Sequence, residues 1–461
     1  MTDINREHPD FAQKQQMRCM YRDLYAGGHE FKSRAANYLL RRQKEPLDVY
    51  SERLHRVFYE NYIGSIIDWF ASTLFRRQPS LQLEGGLASG REFLTGFADD
   101  ADLRGTSLSS FLRSCFVDAL VAGGSHILID FPRAPEKPQT RAEEDLAGFS
   151  RAFLVRYEAE ELINWSRNER GEYDWVVLRH KVQSQPTMEH PEIVEETYWR
   201  YYDRTDFRSY RQVSNKRNDA PIELLSQGKH GLAKQFRVPL IDLHLSQGLW
   251  LMNKAAHLQL EHFNKSNALS WAITMGLFAM PVIYSDREWS QIVGESYFIQ
   301  LGPTDKFGWT EPDGKVYQIA AQNLETLKEE IYRVCYLSQA SGEMIGGHAQ
   351  SAASKQLDFT ITHEILRAYG TMVKDCIRSI VTAISDARED DVKVTVSGLD
   401  EVDISDFQNE LEQAASLLQL GIASPTLRAQ IYQRIAMKYL SDARQEIKNQ
   451  IAQEIDAQVG N

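Results

Sequence analysis

HAQSAASKQLDF, residues 348–359, sets small polar residues at the mouth of a long helical pattern. Downstream of it, Leu366, Tyr369, Val373, Cys376, Ile380 and Ile384 recur at intervals of three and four, one stripe of an amphipathic helix. Glu364, Arg367, Lys374, Asp375 and Arg378 fall on the other faces. A helix from Ser351 to Asp386 would be roughly 54 Å long at 1.5 Å per residue, a spine rather than an ordinary domain helix. Ser351 or Ser354 is its expected cap. The bland run before it needs a separate explanation.

Outward from the spine, helices and strands separate into blocks. Phe11 to Arg42 reads as helix broken at Gly27-Gly28. Tyr50 to Phe75 reads as one helix with Leu54, Val57, Phe58, Asn61, Tyr62, Ser65, Ile66 and Trp69 on a face, ended by Pro79. Ser107 to Ala122 is a further helix with Ser107 or Thr106 as N-cap. HILIDF (126–131) is a buried strand. FLVRY, YDWVVLRHKV, EIVEETYWRYYD and FRSYRQV, between Arg151 and Gln227, are β-branched and aromatic runs separated by turn residues, an antiparallel sheet. Helix returns at Pro239–Thr274 and Asn323–Ser338, with short strands and turns over Pro281–Ala320. VKVTV (392–396) is a strand. Ser405-Asp-Phe-Gln408 forms a capping box, Ser424-Pro425 opens another helix, and Ser441–Gln458 is a polar terminal one. The fold class expected is α+β, mainly helical.

Bulk properties exclude several function classes. The 461 residues are 43% hydrophobic and 25% charged, enough for several lobes with a real core. Cys19, Cys115, Cys335 and Cys376 are far apart, which argues against a disulfide framework or a zinc ribbon. The N-terminus lacks the apolar stretch of a secretory signal. Lys265 to Asp286 is free of charge between its ends, but Asn267, Ser270, Thr274 and Pro281 favour a helix running into a strand over a membrane span. The formal net charge of −12 disfavours tight general binding of nucleic acid, though not loose passage of DNA.

Chemistry-bearing motifs are scarce. Gly228-Lys229 has neither the upstream glycine nor the following Ser or Thr of a phosphate-binding loop. His363-Glu364 is followed by Arg367 where a second zinc-binding His would stand. His257 and His262 are spaced poorly for one helical face and read as ordinary helix residues. Asp99, Asp100 and Asp102 lack a calcium ladder and read as a turn and cap; a magnesium nuclease is the enzymatic alternative they leave. Glu143-Glu144-Asp145 and Glu158, Glu160 and Glu161 read as solvated acidic faces. No catalytic residue, metal or cofactor is expected, and a structural component is favoured over an enzyme.

The order of segments resembles the portal proteins of tailed bacteriophages. The segments that carry the likeness are YAGGHEFKSRAANYLL (25–40), YSERLHRVFYENYIGSIIDWFASTLFRRQP (50–79), DADLRGTSLSSFLRSCFVDALVAGGSHILIDFPR (100–133) and FLVRYEAEELINW (153–165). PLIDLHLSQGLWLMNKAAHLQLEHFNKSNALSWAITMGLFAMPVIY (239–284), GWTEPDGKVYQI (308–319) and a C-terminal helical region at 417–454 continue it in the family's order. No single motif is specific; the resemblance rests on many weak matches in the right order over nearly the whole chain. LWLMNKAAHLQLEHFNKS departs from the family's usual alternation in the stem helix.

The resemblance implies a portal fold of wing, stem, clip and crown, assembling as a ring of about twelve copies. Residues 1–240 would be the wing, 241–278 the stem helix, 279–320 the clip, and 321–338 the second stem helix. Residues 339–350 would be a tunnel loop, 351–400 the spine helix and wing return, and 401–461 the crown. The loop would put Gly342, Gly346, Gly347, His348, Gln350 and Lys355 toward the DNA channel. Small residues suit a loop crowded around one axis, and glycine permits its sharp turns. In the clip, Trp289, Phe298, Trp309 and Tyr317 would pack or dock partners. The implied partners are copies of the chain, double-stranded DNA passing without tight binding, a terminase, a head–tail adaptor, and a major capsid or scaffolding protein, with no membrane. The implied location is the virion at a capsid vertex, after synthesis in the host cytoplasm. The alternative is another capsid-assembly or connector scaffold that does not conduct DNA.

Overall fold

The computed structural model describes residues 4–76, 78–132, 148, 151–185, 193–215, 218–276, 280–284, 306–310, 314–337, 352–399, 407–420, 422, 424–440 and 445–459. In chain order it contains α1 (Pro9–Ala26), α2 (Gly28–Ser33), α3 (Leu47–His55), α4 (Tyr62–Leu74), β1 (Ser80–Gly85), α5 (Ala88–Asp99), α6 (Leu108–Ala122) and β2 (Gly124–Asp130). Strands β3 (Phe153–Glu158), β4 (Leu162–Arg167), β5 (Tyr173–Ser184), β6 (Val194–Asp203), β7 (Asp206–Asn215), β8 (Asn218–Asp219), β9 (Glu223–Lys229) and β10 (Leu240–His244) follow. The remainder is α7 (Leu251–Gly276), β11 (Met280–Tyr284), β12 (Lys306–Thr310), α8 (Gly314–Val334), α9 (Ala352–Arg388), β13 (Val392–Ser397), α10 (Phe407–Gln419), α11 (Pro425–Tyr439) and α12 (Gln445–Val459). The class is mixed α+β, with more helix than strand.

Two compact units are present. The first comprises Met1–Arg22, Ser65–Asn253 and Met344–Asn461, the second Asp23–Gly64 and Lys254–Glu343.

In the first unit, α6 is buried on nearly every side, from Leu108 and Leu112 to Val121. It lies against the antiparallel sheet β10–β2–β3. Ser107 is its N-cap, accepting from Ser110 N–H at 3.3 Å. Gly123 ends it at φ 87°, a left-handed conformation that costs glycine little. A side chain there would also strike the Trp250 ring at 3.1 Å. The spine stripe is buried throughout: Leu366, Tyr369, Val373, Cys376, Ile380 and Ile384 are all at or below 5% exposure. Tyr369 meets Phe70 and Phe116 edge-on and donates its hydroxyl to Leu249 O at 2.5 Å.

The aromatic runs of residues 162–229 form a second antiparallel sheet in the order β4–β5–β6–β7–β8, with β9 also on β7. One face buries Val176, Leu178, Tyr202 and Phe207. The other buries Ile163, Val177 and Trp199 beneath Phe11 of α1. The first residues are tied there too. His8 stacks on Trp165 with ring centres 4.1 Å apart, and its N–H donates to Ile163 O at 2.8 Å. FLVRY belongs instead to the three-stranded sheet, as β3.

Several sequence expectations are corrected. The single helix over Tyr50–Phe75 is two, α3 and α4, separated at residues 56–61. The helix expected from Pro239, and the stem helix from residue 241, begins only at Leu251, because Leu240–His244 pairs with β2 as β10. The second stem helix starts at Gly314, not 321 or 323, which shortens the clip expected at 279–320. SLQLEG was not expected as a strand; as β1 it pairs antiparallel with β13 from Ser80↔Ser397 to Gly85↔Val392. Ser424 caps α11 as expected, with Pro425 at its start. The capping box at 405–408 lies largely outside the described residues, and α10 begins at Phe407.

Candidate functional site

From Lys254 onward the segments assigned to stem and clip fall in the second unit, where α7 and α8 run side by side in opposite directions. Three contacts along the pair show the register. Lys254 meets Tyr336, its ammonium 4.1 Å from the ring centre and hydrogen-bonded to the hydroxyl. Lys265 donates to Asn323 Oδ1 at 2.9 Å. The Tyr317 hydroxyl donates to Ala272 O at 3.3 Å. Residue numbers rise on α7 as they fall on α8. With 26 residues, α7 is about 39 Å long. Beyond it, β11 and β12 pair antiparallel from Met280↔Thr310 to Tyr284↔Lys306. The chain therefore travels out along α7, crosses a two-stranded ribbon and returns along α8.

The weakly amphipathic face of α7 has a purpose that its apolar residues do not disclose. Three amide side chains grip the backbone of residues 38–63. Gln259, fully buried, donates to Glu60 O at 2.7 Å and accepts from Ile63 N–H at 3.3 Å. Asn264 donates to Tyr38 O at 3.1 Å and accepts from Leu40 N–H at 2.9 Å. Asn267 does the same for Phe58. Buried main-chain groups need partners, and these amides supply them where no helix or sheet does. The break between α3 and α4 follows, since Asn267 holds Phe58 while Asn61 accepts from Gly64 N–H at 2.9 Å and so caps α4.

His262, read as an ordinary helix residue, is buried beside Glu60, with Tyr62 edge-on at 5.0 Å. Burial pushes its imidazole below the usual range, against the attraction of Glu60 and Glu325.

Of the channel residues, Gly342, Gly346, Gly347, His348 and Gln350 lie outside the described residues. Lys355 falls within the first turn of α9. Among the clip residues, Trp289 and Phe298 lie outside the described set, and Trp309 is a β12 position opposite Pro281. Tyr317, on α8, is half-buried and bonds to Ala272 of α7, a packing residue of the helix pair.

Of the carboxylates that left a nuclease open, Asp100 and Asp102 are engaged in local structure, while Asp99 lines an open groove. Asp102 Oδ1 accepts from Arg104 N–H at 3.0 Å and Thr106 N–H at 3.2 Å. Burial opposes its charge, but these bonds outweigh it and hold the carboxyl below the usual range. Asp100 accepts from Gly105 N–H at 2.8 Å and from Arg151 at 2.8 Å.

The acidic run Glu158–Glu161 is not a solvated face. Glu160 pairs with Arg22 at 3.1 Å, and Arg22 also reaches Asp118 at 2.7 Å. Glu161 accepts from Glu158 N–H at 2.7 Å. A largely buried guanidinium on α1 requires these carboxylates; although burial works against its charge, they raise its pKa. Glu143, Glu144 and Asp145 lie outside the described residues.

One polar node in the first unit has no signature in the sequence pattern. Asp242 on β10 lies 2.7 Å from His126 Nδ1 on β2, accepts from the Tyr173 hydroxyl at 2.7 Å, and accepts from Arg167 at 2.8 Å. Both of its oxygens are thereby occupied. Burial opposes its charge, and His126, Tyr173 and Arg167 overcome that to depress its pKa. The node ties β2 and β10 to β4 and β5.

Among the described residues no group of three or more His, Cys, Asp or Glu could hold a metal ion. None of their helices is long and apolar enough to cross a membrane. The uncharged stretch after Lys265 contains the end of α7, at Gly276, and β11, from Met280.

No family model and no curated protein matches the chain. Solved structures do. One is a chain in the neck of an empty gene transfer agent particle, computed with C6 symmetry: 11% identity, TM-score 0.41, covering 80% of this chain and 90% of that one. Another is a chain in the virion of a native gene transfer agent particle: 12% identity, TM-score 0.37, covering 85% and 93%.

Proposed function

We propose that the chain is a portal-type subunit, a non-enzymatic component of a ring that conducts DNA at one vertex of a phage capsid. The observation that carries this reading is the out-and-back arrangement of α7, β11–β12 and α8. It falls in the segments whose order resembles the family's stem, clip and return. The long α9 then follows, its apolar stripe fully buried. The structural bonds of Asp100, Asp102 and Asp242, which hold loops and sheets, support a structural role.

In this reading, residues 339–350 together with Lys355 face the channel. An overall charge of −12 suits a passage that must not grip phosphate, since tight neutralisation of phosphates would resist movement. The partners are further copies of the chain, duplex DNA in transit, a terminase, a head–tail adaptor and the capsid or scaffolding protein. The ring would work at a capsid vertex in packaging, tail attachment and ejection.

Negative-stain imaging of the purified chain tests this directly. Closed rings with a central hole wide enough for a double helix are expected. Monomers or compact dimers at high concentration would reject it, and closed assemblies without a hole would favour a connector scaffold that carries no DNA.

A further inference from the structure

In the second unit, the turn between α2 and α3 is unusually basic for so acidic a chain. Leu40 to Leu47 reads LRRQKEPL, three cations against one carboxylate, so the rest of the chain carries a net charge of −14. That carboxylate is turned inward. Glu45 is 5% exposed and takes Arg53 on its two oxygens at 2.7 and 2.8 Å. It also accepts from Arg42 N–H at 3.2 Å, and Arg41 donates to the Glu45 carbonyl at 2.7 Å. Asn264 fixes Leu40 N–H. The turn is thus held from inside, with Arg41, Arg42 and Lys44 exposed. Among the described residues none of the three has a carboxylate within ion-pair distance. Leu40 and Leu47 beside them are 67% and 70% exposed. Apolar flanks on a cationic turn match a protein partner better than phosphate, which offers nothing to leucine.

The first unit carries a matching surface. An open groove of about 600 Å³ is lined by Glu84, Glu92 and Asp99 on one side and Gln430, Gln450 and Gln453 on the other. Leu83, Ala88 and Ala452 add apolar lining. The cation in it, Arg91, is already committed to the carbonyls of Gly85 and Gly86 at 2.6 and 3.0 Å.

We infer that the Leu40–Leu47 turn of one copy of this chain docks in the Glu84–Glu92–Asp99 groove of a second copy. This rests on the ring reading above, to which it adds the residues of the contact. Such a contact is head-to-tail: each copy offers a turn to one neighbour and a groove to the other, the kind of interface that closes into rings. Opposite charges set partner and register.

The test is sedimentation of the full chain, with circular dichroism to confirm that each variant is folded. Arg42→Glu with Lys44→Glu changes two exposed side chains and leaves Arg41 and Glu45 in place. It should raise the concentration for half-assembly about tenfold or more, as should Glu84→Lys with Glu92→Lys. All four changes in one chain should bring it back to within about threefold of the wild type, because the charges are complementary again. Folded charge-reversal chains that assemble like the wild type would overturn the docking and leave the ring reading intact. So would failure of the combined chain to recover. Wild-type chain that stays monomeric would remove both. Normal assembly of the turn variant with lost retention of a linear DNA duplex would make the turn a DNA contact and overturn the inference.

Discussion

Asn267 holds both main-chain groups of Phe58: its Oδ1 accepts from the Phe58 N–H at 3.1 Å and its Nδ2 donates to the Phe58 carbonyl at 2.9 Å. Two residues more than two hundred positions apart are joined as neighbouring strands would be. Asn267→Leu keeps the volume and strips both bonds, leaving a backbone donor and acceptor without their partner. A loss of about 2–4 kcal/mol is expected. Calorimetry that finds the unfolding profile unchanged would show that the amide does not hold this break in the helix.

The Asp242 node makes stability depend on pH with a definite sign. Its carboxyl is depressed in the folded chain, so its contribution is present in full above the ordinary carboxylate range. It fades as pH falls through the depressed value. Asp242→Asn should therefore cost about 3 kcal/mol near neutrality by stranding His126 and Arg167. The gap between variant and wild type should narrow in acid. Parallel denaturation curves at several pH values measure it, and a constant gap would be the wrong result.

Two glycines with positive φ should behave differently. A Cβ on Gly86 (φ 58°) would come within 2.2 Å of the Asp390 carbonyl, whereas one on Gly171 (φ 82°) meets nothing within 4 Å. Gly86→Ala should lower stability by about 2 kcal/mol or more, while Gly171→Asn should cost under about 1 kcal/mol. Thermal midpoints of the two variants decide the matter.

Thiol labelling should single out one cysteine. Cys19 is exposed, and Cys115, Cys335 and Cys376 are buried. Burial pushes Cys335 and Cys376 up to about 12 and raises Cys115 as well, so none of the three offers thiolate near neutrality. Mass spectrometry after alkylation of the native chain should find one adduct, at Cys19, and four after denaturation.

The channel assignment has its own test. Valine at both Gly346 and Gly347 should leave rings intact and reduce the amount of DNA packaged, read as the ratio of full to empty heads. Unchanged packaging would remove the loop from the channel.

What the sequence made legible was what short-range pattern controls. The spine's stripe from Leu366 to Ile384, the cap at Ser107 and the Ser424-Pro425 start are all local signals, and the structure has them. What it concealed depends on partners far along the chain. SLQLEG becomes a strand because Val392–Ser397 lies beside it. Residues 56–61 leave the helix because amides on α7 hold them, and an Asn or Gln in a helical pattern looks like any surface residue. The Asp242 node gathers four strands around one carboxylate, so no window of sequence contains it. Of the ten residues assigned to channel and clip, the side chain of Tyr317 alone is described, and it packs.

The out-and-back path of α7 and α8 has a consequence for how such a chain can change. Tyr284 and Lys306 face each other across the ribbon, so whatever joins them starts and finishes at one place. Lengthening that connection adds only a slowly growing closure entropy and leaves the helix register behind it untouched. Whatever joins them can thus be exchanged as a cassette while the paired helices stay as they are.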